Sequence, residues 1–250
     1  MRICYRSSAT LLCVLVSGLL PALVFAEPKA APTAVLSEGA LSPTQGSEQR
    51  EAAVAGLATL AEHLPASPPA ARTDRIFNVD DYRTLRDAAI GVGFEMYLVD
   101  PQAVLAGKPV DQSLHGSGVW RFVVLAGGKG VGLITVARRD GRWTMVEAGA
   151  SELADEVMTV AARYARLAPR PQLRFVRCQQ AVADLIEVSA PAPAARKSSP
   201  VYVPLVSART AIAESRAGPI APSSVLSDAE LADALRHRLQ RGLGDPRFGH

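Results

Sequence analysis

The chain has 250 residues with 27 basic and 24 acidic side chains, a formal net charge of +3. Two of the basic residues, Arg2 and Arg6, lie in an N-terminal export signal; without them the balance is 25 against 24, and the basic character largely goes. A nucleic-acid binder gathers basic charge into a patch or stripe, so near-neutrality together with export excludes DNA, RNA and nucleotides as natural partners.

The signal is read from Arg2 and Arg6, the apolar run Ala9 to Leu20, the helix-ending Pro21, and Val24-Phe25-Ala26 before a polar segment opening at Glu27. That order of charged, apolar and small residues is the layout of a cleaved secretory signal. Cleavage near Ala26 predicts a periplasmic or secreted protein. A retained anchor is the alternative, but Pro21 shortens the run below the ~20 apolar residues a spanning helix needs. No later segment is long and apolar enough to span a bilayer, so a soluble mature chain is expected. Cys4 and Cys13 leave with the signal. Cys178 stays alone, with no partner for an internal disulfide, and is read as a buried strand residue.

Residues 27–73 are rich in Ala, Pro and Ser and predict a disordered, low-complexity flank. One island interrupts it. Val54, Leu57, Ala61 and Leu64 recur at spacings of three and four, predicting a marginal helix over Ser47 to Leu64 that Gly56 weakens. A folded domain is expected over 74–212. Asp80 caps a short helix through Ile90, and Phe94 to Val99 follows as a strand. Val119 to Ala126, Val131 to Arg138 and Arg142 to Glu147 then form a three-strand meander, joined at Gly127-Gly128-Lys129-Gly130 and at Arg139-Asp140-Gly141. Trp120, Phe122 and Val124 share one face of its first strand; Val119, Val123 and Leu125 share the other. Apolar residues on both faces predict a sheet covered on both sides, at least in part.

Ser151 caps a helix to about Leu167, with Leu153, Val157, Val160, Ala161 and Tyr164 as its apolar stripe. Leu173 to Cys178 and Ala183 to Val188 are further strands. A linker-like loop spans 189–200, and Val201 to Val206 is a last strand that Pro204 confines to an edge or bulge. Residues 213–250 are read as a flexible tail with a short amphipathic helix. Ser227 and Glu230 form its capping box, Leu226 staples onto Leu231, and Leu231, Leu235 and Leu239 make a narrow stripe.

This order predicts an α+β domain with disordered flanks. Its sheet is small and antiparallel, the meander plus two to four further strands, with helices on one face. The general outline resembles cystatin-like and other curved-sheet folds, a likeness of layout that carries no function.

No catalytic residue, cofactor-binding residue or metal site is assigned. His115-Gly116-Ser117-Gly118 lacks the Gly-x-Ser-x-Gly spacing and the following helix of a nucleophile elbow. Gly127 to Gly132 leads into a strand, whereas a phosphate loop leads into a helix N-terminus. The four histidines are scattered. Arg170, Arg174 and Arg177, with Arg174 facing opposite to Arg177, suit either an anionic partner or a solvated strand edge. The reading is a non-catalytic exported domain that binds a protein, peptide or envelope component. The alternatives are an exported hydrolase built on Ser117 with His115, or on Cys178, and a small-molecule carrier whose apolar pocket is lined by Trp120, Phe122 and Trp143.

Overall fold

A computed structural model describes residues 46–191, 199–214 and 218–244. Residues 1–26, where an export signal is expected, residues 27–45, and parts of the 189–200 loop and of the C-terminal stretch lie outside the described residues. In chain order the elements are α1 (Ser47–His63), β1 (Ala89–Val99), α2 (Pro101–Leu105), β2 (Leu114–Ala126), β3 (Lys129–Arg139), β4 (Arg142–Gly149), α3 (Ser151–Ala165), β5 (Gln172–Cys178), β6 (Ala183–Ser189), β7 (Val201–Pro204), α4 (Val206–Ala213), β8 (Leu226–Ser227) and α5 (Asp228–Leu243). Among the described residues no helix is long and apolar enough to cross a membrane.

The meander forms where its turn residues predict. Gly127 and Gly128, then Asp140 and Gly141, all take positive φ, as two-residue hairpin turns require. The α+β class holds, but the expected small antiparallel sheet with helices on one face does not. All eight strands belong to one sheet in the order β4-β3-β2-β1-β5-β6-β7-β8. It is mixed, because β5 runs parallel to β1 while every other neighbour is antiparallel. A parallel neighbour needs a crossover of a dozen or more residues. Here the whole of β2, β3, β4 and α3 lies between β1 and β5, and α3 carries the chain from the edge strand β4 back to the middle of the sheet.

Helices therefore cover both faces. Val92, Phe94, Val123, Leu125 and Leu133 pack under Leu153, Val157, Val160 and Tyr164 of α3, the stripe expected from the sequence. On the opposite face Trp120, Phe122, Val124 and Val136 meet Ala53, Leu57 and Ala61 of α1. Strand alternation places Val176, Leu185 and Tyr202 on that same face. There they pack with Ala208 and Ile212 of α4 and with Leu231, Leu235 and Leu239 of α5. The tail's capping box is present, and the side chain of Ser227 accepts the N–H of Glu230. Pro204 sits beyond the two β7 residues that pair with β8, where a missing N–H breaks no ladder bond.

Three local readings are revised. The segment after Asp80 is a 3₁₀ turn over Tyr82–Asp87 capped by Asp81, whose carboxylate accepts the N–H of Arg83. The chain is already extended at Ala89, so the expected helix through Ile90 ends early. In α3 the residue before the helix, Ala150, is left-handed (φ 54°), and Ser151 is the first helical residue, not its cap.

The third revision concerns α1. Its buried positions are Ala53, Leu57 and Ala61, while Val54 stays 52% exposed. The buried face is rotated from the expected stripe because the helix docks close to β4. A Cβ on Gly56 would stand 2.5 Å from the Cβ of Met145. Arg50 pins the same helix by donating to the carbonyls of Ile90 and Gly91, each at 2.8 Å, with its guanidinium over the Phe122 ring.

Gly56 thus tests the docking. In a free helix, Gly→Ala gains about 1 kcal/mol of helix propensity. Here the added carbon overpacks against Met145, a cost of about 1–3 kcal/mol. Gly56→Ala is expected to lower stability in urea melts, whereas Val54→Ala should change it by no more than about 0.5 kcal/mol.

Candidate functional site

The three residues read as a pocket lining come together, and they come together beneath α1. Trp120 and Phe122 are buried, with ring centroids 6.3 Å apart and planes 20° from parallel. Trp143 packs half-buried against the same cluster, which also contains Phe77, Tyr82 and Leu85. The Arg138 guanidinium lies 5.4 Å over the Trp143 ring. Side chains of α1 and of the 77–85 segment occupy the space over these aromatics.

The His115-to-Gly118 stretch is part of β2. Glu95 pairs with Trp120 and Tyr97 with Gly116, so β2 holds two extra residues at this point. Gly118 takes φ 68°, which a side chain would strain. The hydroxyl of Ser117 closes the bulge: it donates to the carbonyl of Met96 at 2.6 Å and accepts the N–H of Val119 at 3.1 Å. Both bonds are local backbone repairs. His115 lies on the same strand, exposed, with no hydrogen bond to Ser117.

Cys178 is buried in the cluster of Val176, Leu185 and Ala211. Burial pushes its thiol up from 9.0 to about 12, so it stays protonated at neutral pH. A nucleophilic cysteine needs the opposite shift. Among the described residues no group of three His, Cys, Asp or Glu could hold a metal ion.

The sheet buries charge on both faces near its centre. On the α1 side, Arg174 donates from Nε and Nη2 to Oε1 of Glu187, and from Nη2 to Oε2 at 2.7 Å. Its guanidinium rests 4.8 Å over the Tyr97 ring. Burial pushes the Glu187 carboxyl upward, against the pull of Arg174. Beside this pair the Tyr202 hydroxyl donates to Asp228, which also accepts the N–H groups of Val110 and Asp111. Every charge here has a partner. Strand β5 is internal to the sheet, so the alternative of a solvated strand edge does not describe Arg174.

The α3 side differs. Arg121, on β2, is buried with its guanidinium 5.3 Å over the Phe175 ring. Its Nε has no hydrogen-bond partner among the described residues, and its single ion contact is 3.9 Å, to Glu147 of β4. Burial lowers the Arg121 pKa, as does the like charge of Arg177; Asp184 and Glu147 act the other way. Arg177 and Asp184 are register partners on β5 and β6, with Arg177 Nε 3.7 Å from Asp184 Oδ1. That carboxylate oxygen is likewise buried without a hydrogen bond. The other, Oδ2, accepts from Ser207 Oγ, which in turn accepts the N–H of Asp184.

Among the described residues, Arg121 Nε and Asp184 Oδ1 are thus a buried donor and a buried acceptor without a hydrogen bond, on the face that also carries Arg177. Of these residues only Arg177 is singled out by the sequence. The signal for Arg121 is nonetheless present, since it is the charged residue on a face otherwise set by Val119, Val123 and Leu125. A separate open cleft of about 550 Å³ lies between α2 and α5, lined by Val104, Lys108, Asp228, Glu230, Asp233 and Arg236 among others.

Ser117→Ala strands a backbone N–H and a carbonyl, and is expected to cost about 1–3 kcal/mol of stability in denaturant melts. Cys178 should resist iodoacetamide in the native protein and react once it is unfolded. Its folded thiol titrates later than an unfolded one, so the unfolded state loses its proton first as pH rises. Stability contributed by this thiol should therefore fall between about pH 9 and about 12, and Cys178→Ala should remove that part of the fall. No family model, curated protein or solved structure matches this chain.

Proposed function

We propose that this chain is an exported, non-catalytic binding domain, and that its partner, a peptide, protein or envelope component, is held at Arg121, Arg177 and Asp184 on the α3 face of the sheet. The observation that carries the reading is Arg121, a buried guanidinium with an idle Nε and one ion contact too long for a hydrogen bond. Taking such a charge out of water costs several kcal/mol, and an apolar residue of similar volume is often as stable or more so. Beyond its stacking on Phe175, stability therefore gives little reason for an arginine here, whereas binding gives one. Perturbed, under-satisfied charges gather at functional sites.

Two further points support a binder over a hydrolase. Ser117 is committed to the β2 bulge, and Cys178 is a buried protonated thiol. Export follows from Arg2, Arg6, the apolar run to Leu20 and the small residue Ala26 before Glu27.

The reading is tested on the chain produced with its own N-terminus. N-terminal sequencing of the extracytoplasmic form should begin at Glu27, and a fluorophosphonate or native-state thiol probe should leave it unlabelled. On arrays of peptides and envelope polymers, wild type should bind members that Arg121→Met does not. Labelling that disappears in Ser117→Ala or Cys178→Ser would sink the non-catalytic assignment. So would identical array profiles for wild type and the Arg121 variant.

A further inference from the structure

The chemistry of the group that Arg121 awaits can be narrowed, given the binding reading above. Three buried or half-buried charges face one another on the α3 side of the sheet: Arg121, Arg177 and Asp184. Their sum is one positive charge. Glu147, from the edge strand β4, balances it from outside, with its side chain 64% exposed. Its carboxylate reaches only 3.9 Å from Nη2 of Arg121, while Oε2 accepts a hydrogen bond from Thr135 Oγ1 at 3.2 Å. The protein's own carboxylate thus stands at the right place and falls short of bonding distance.

A phosphate carrying two charges would overfill a site of one net positive charge and meet Asp184 at close range. A carboxylate carries one charge and matches the planar guanidinium fork. The buried Oδ1 of Asp184 adds a second requirement. It accepts no hydrogen bond, so the ligand should bring a donor close to its carboxylate. A carboxylate flanked by N–H is the terminal group of a peptide and also of a free α-amino acid.

We propose that Arg121 and Arg177 form a receptor for a free carboxylate whose neighbouring N–H is taken by Asp184 Oδ1, the chemistry of a peptide C-terminus or a free α-amino acid. Glu147 covers the receptor in the unliganded chain and is displaced when the ligand's carboxylate reaches the guanidiniums.

The probes are N-acetylated tetrapeptides with a free C-terminus, the same peptides amidated, and free amino acids, titrated into the exported chain by calorimetry. The free-carboxylate form of at least one probe should bind at least tenfold more tightly than its amide. Arg121→Met should lose that binding tenfold or more while its thermal midpoint holds or rises. Glu147→Gln, on the surface, should fold normally and bind several-fold more tightly, because the competing internal carboxylate is gone. Binding of the peptides but not the amino acids assigns the site to chain ends; the reverse assigns it to free amino acids; both support the receptor. Equal affinity for acid and amide, no binding by either, or a Glu147→Gln affinity equal to wild type overturns it. Arg121-dependent binding to an uncharged envelope polymer would overturn the carboxylate receptor and leave the binding-domain reading standing.

Discussion

Strands β1 and β5 meet along three residue pairs, Met96 with Phe175, Tyr97 with Val176 and Leu98 with Arg177, and everything else in the described structure depends on this parallel seam. On one side of it lies the meander β4-β3-β2-β1; on the other lies β5-β6-β7-β8. Parallel pairing is slightly weaker per residue than antiparallel and cannot be closed by a turn. It stands here because α3 leaves the edge strand β4 and lays its apolar stripe across Val123, Leu125 and Leu133. The same helix then holds the far half through Glu156, which accepts from the backbone N–H of Val206 and pairs with Arg209. The helix that makes the crossover also clamps what the crossover joins.

The seam explains why charge is buried at the centre of the sheet. Each half brings its own polar residues to the line where it meets the other: Glu95, Tyr97 and Arg121 from the meander, Arg174, Arg177, Asp184 and Glu187 from the second half. On the α1 face these meet well. Arg174 lies over Tyr97 across the seam and grips Glu187 through both nitrogens, so this pair resembles a fastening. On the α3 face the match is incomplete, and Arg121 and Asp184 each keep a buried atom without a hydrogen bond. Both faces bury charge, yet only the α1 face pairs it through short bonds. This asymmetry separates a structural ion pair from a candidate binding site.

What the sequence discloses is what acts locally. The hairpins are legible because a two-residue turn demands positive φ, and Gly127-Gly128 and Asp140-Gly141 supply it. The α3 stripe and the Ser227–Glu230 box are legible for the same reason, being contained within a few residues. The seam leaves no local trace, since nothing in Phe94 to Leu98 names its neighbour. Mistaking Gly56 for a weak point of α1 has a related cause. Helix propensity counts against glycine in isolation, while its value here lies in Met145, almost ninety positions away. Arg121 lies between the two cases. Its place on an apolar face can be read from Val119, Val123 and Leu125, but the missing partner can be seen only once Arg177 and Asp184 arrive from the other half.

The bulge in β2 ties these threads together. Its two extra residues fall opposite Met96, the position where β5 begins to pair on the other side of β1. A bulge bends its strand and adds right-handed twist, so β2 turns at the same level as the seam. Ser117 keeps that turn closed by bonding Met96 itself, and Gly118 supplies the left-handed residue it needs. Cross-strand partners share a face, so Trp120 lies on the α1 face with Glu95, and Arg121 lies on the α3 face with Phe94. The residues that resemble a hydrolase loop therefore serve the turn of β2, just before the strand carries Trp120 and Arg121 to opposite faces.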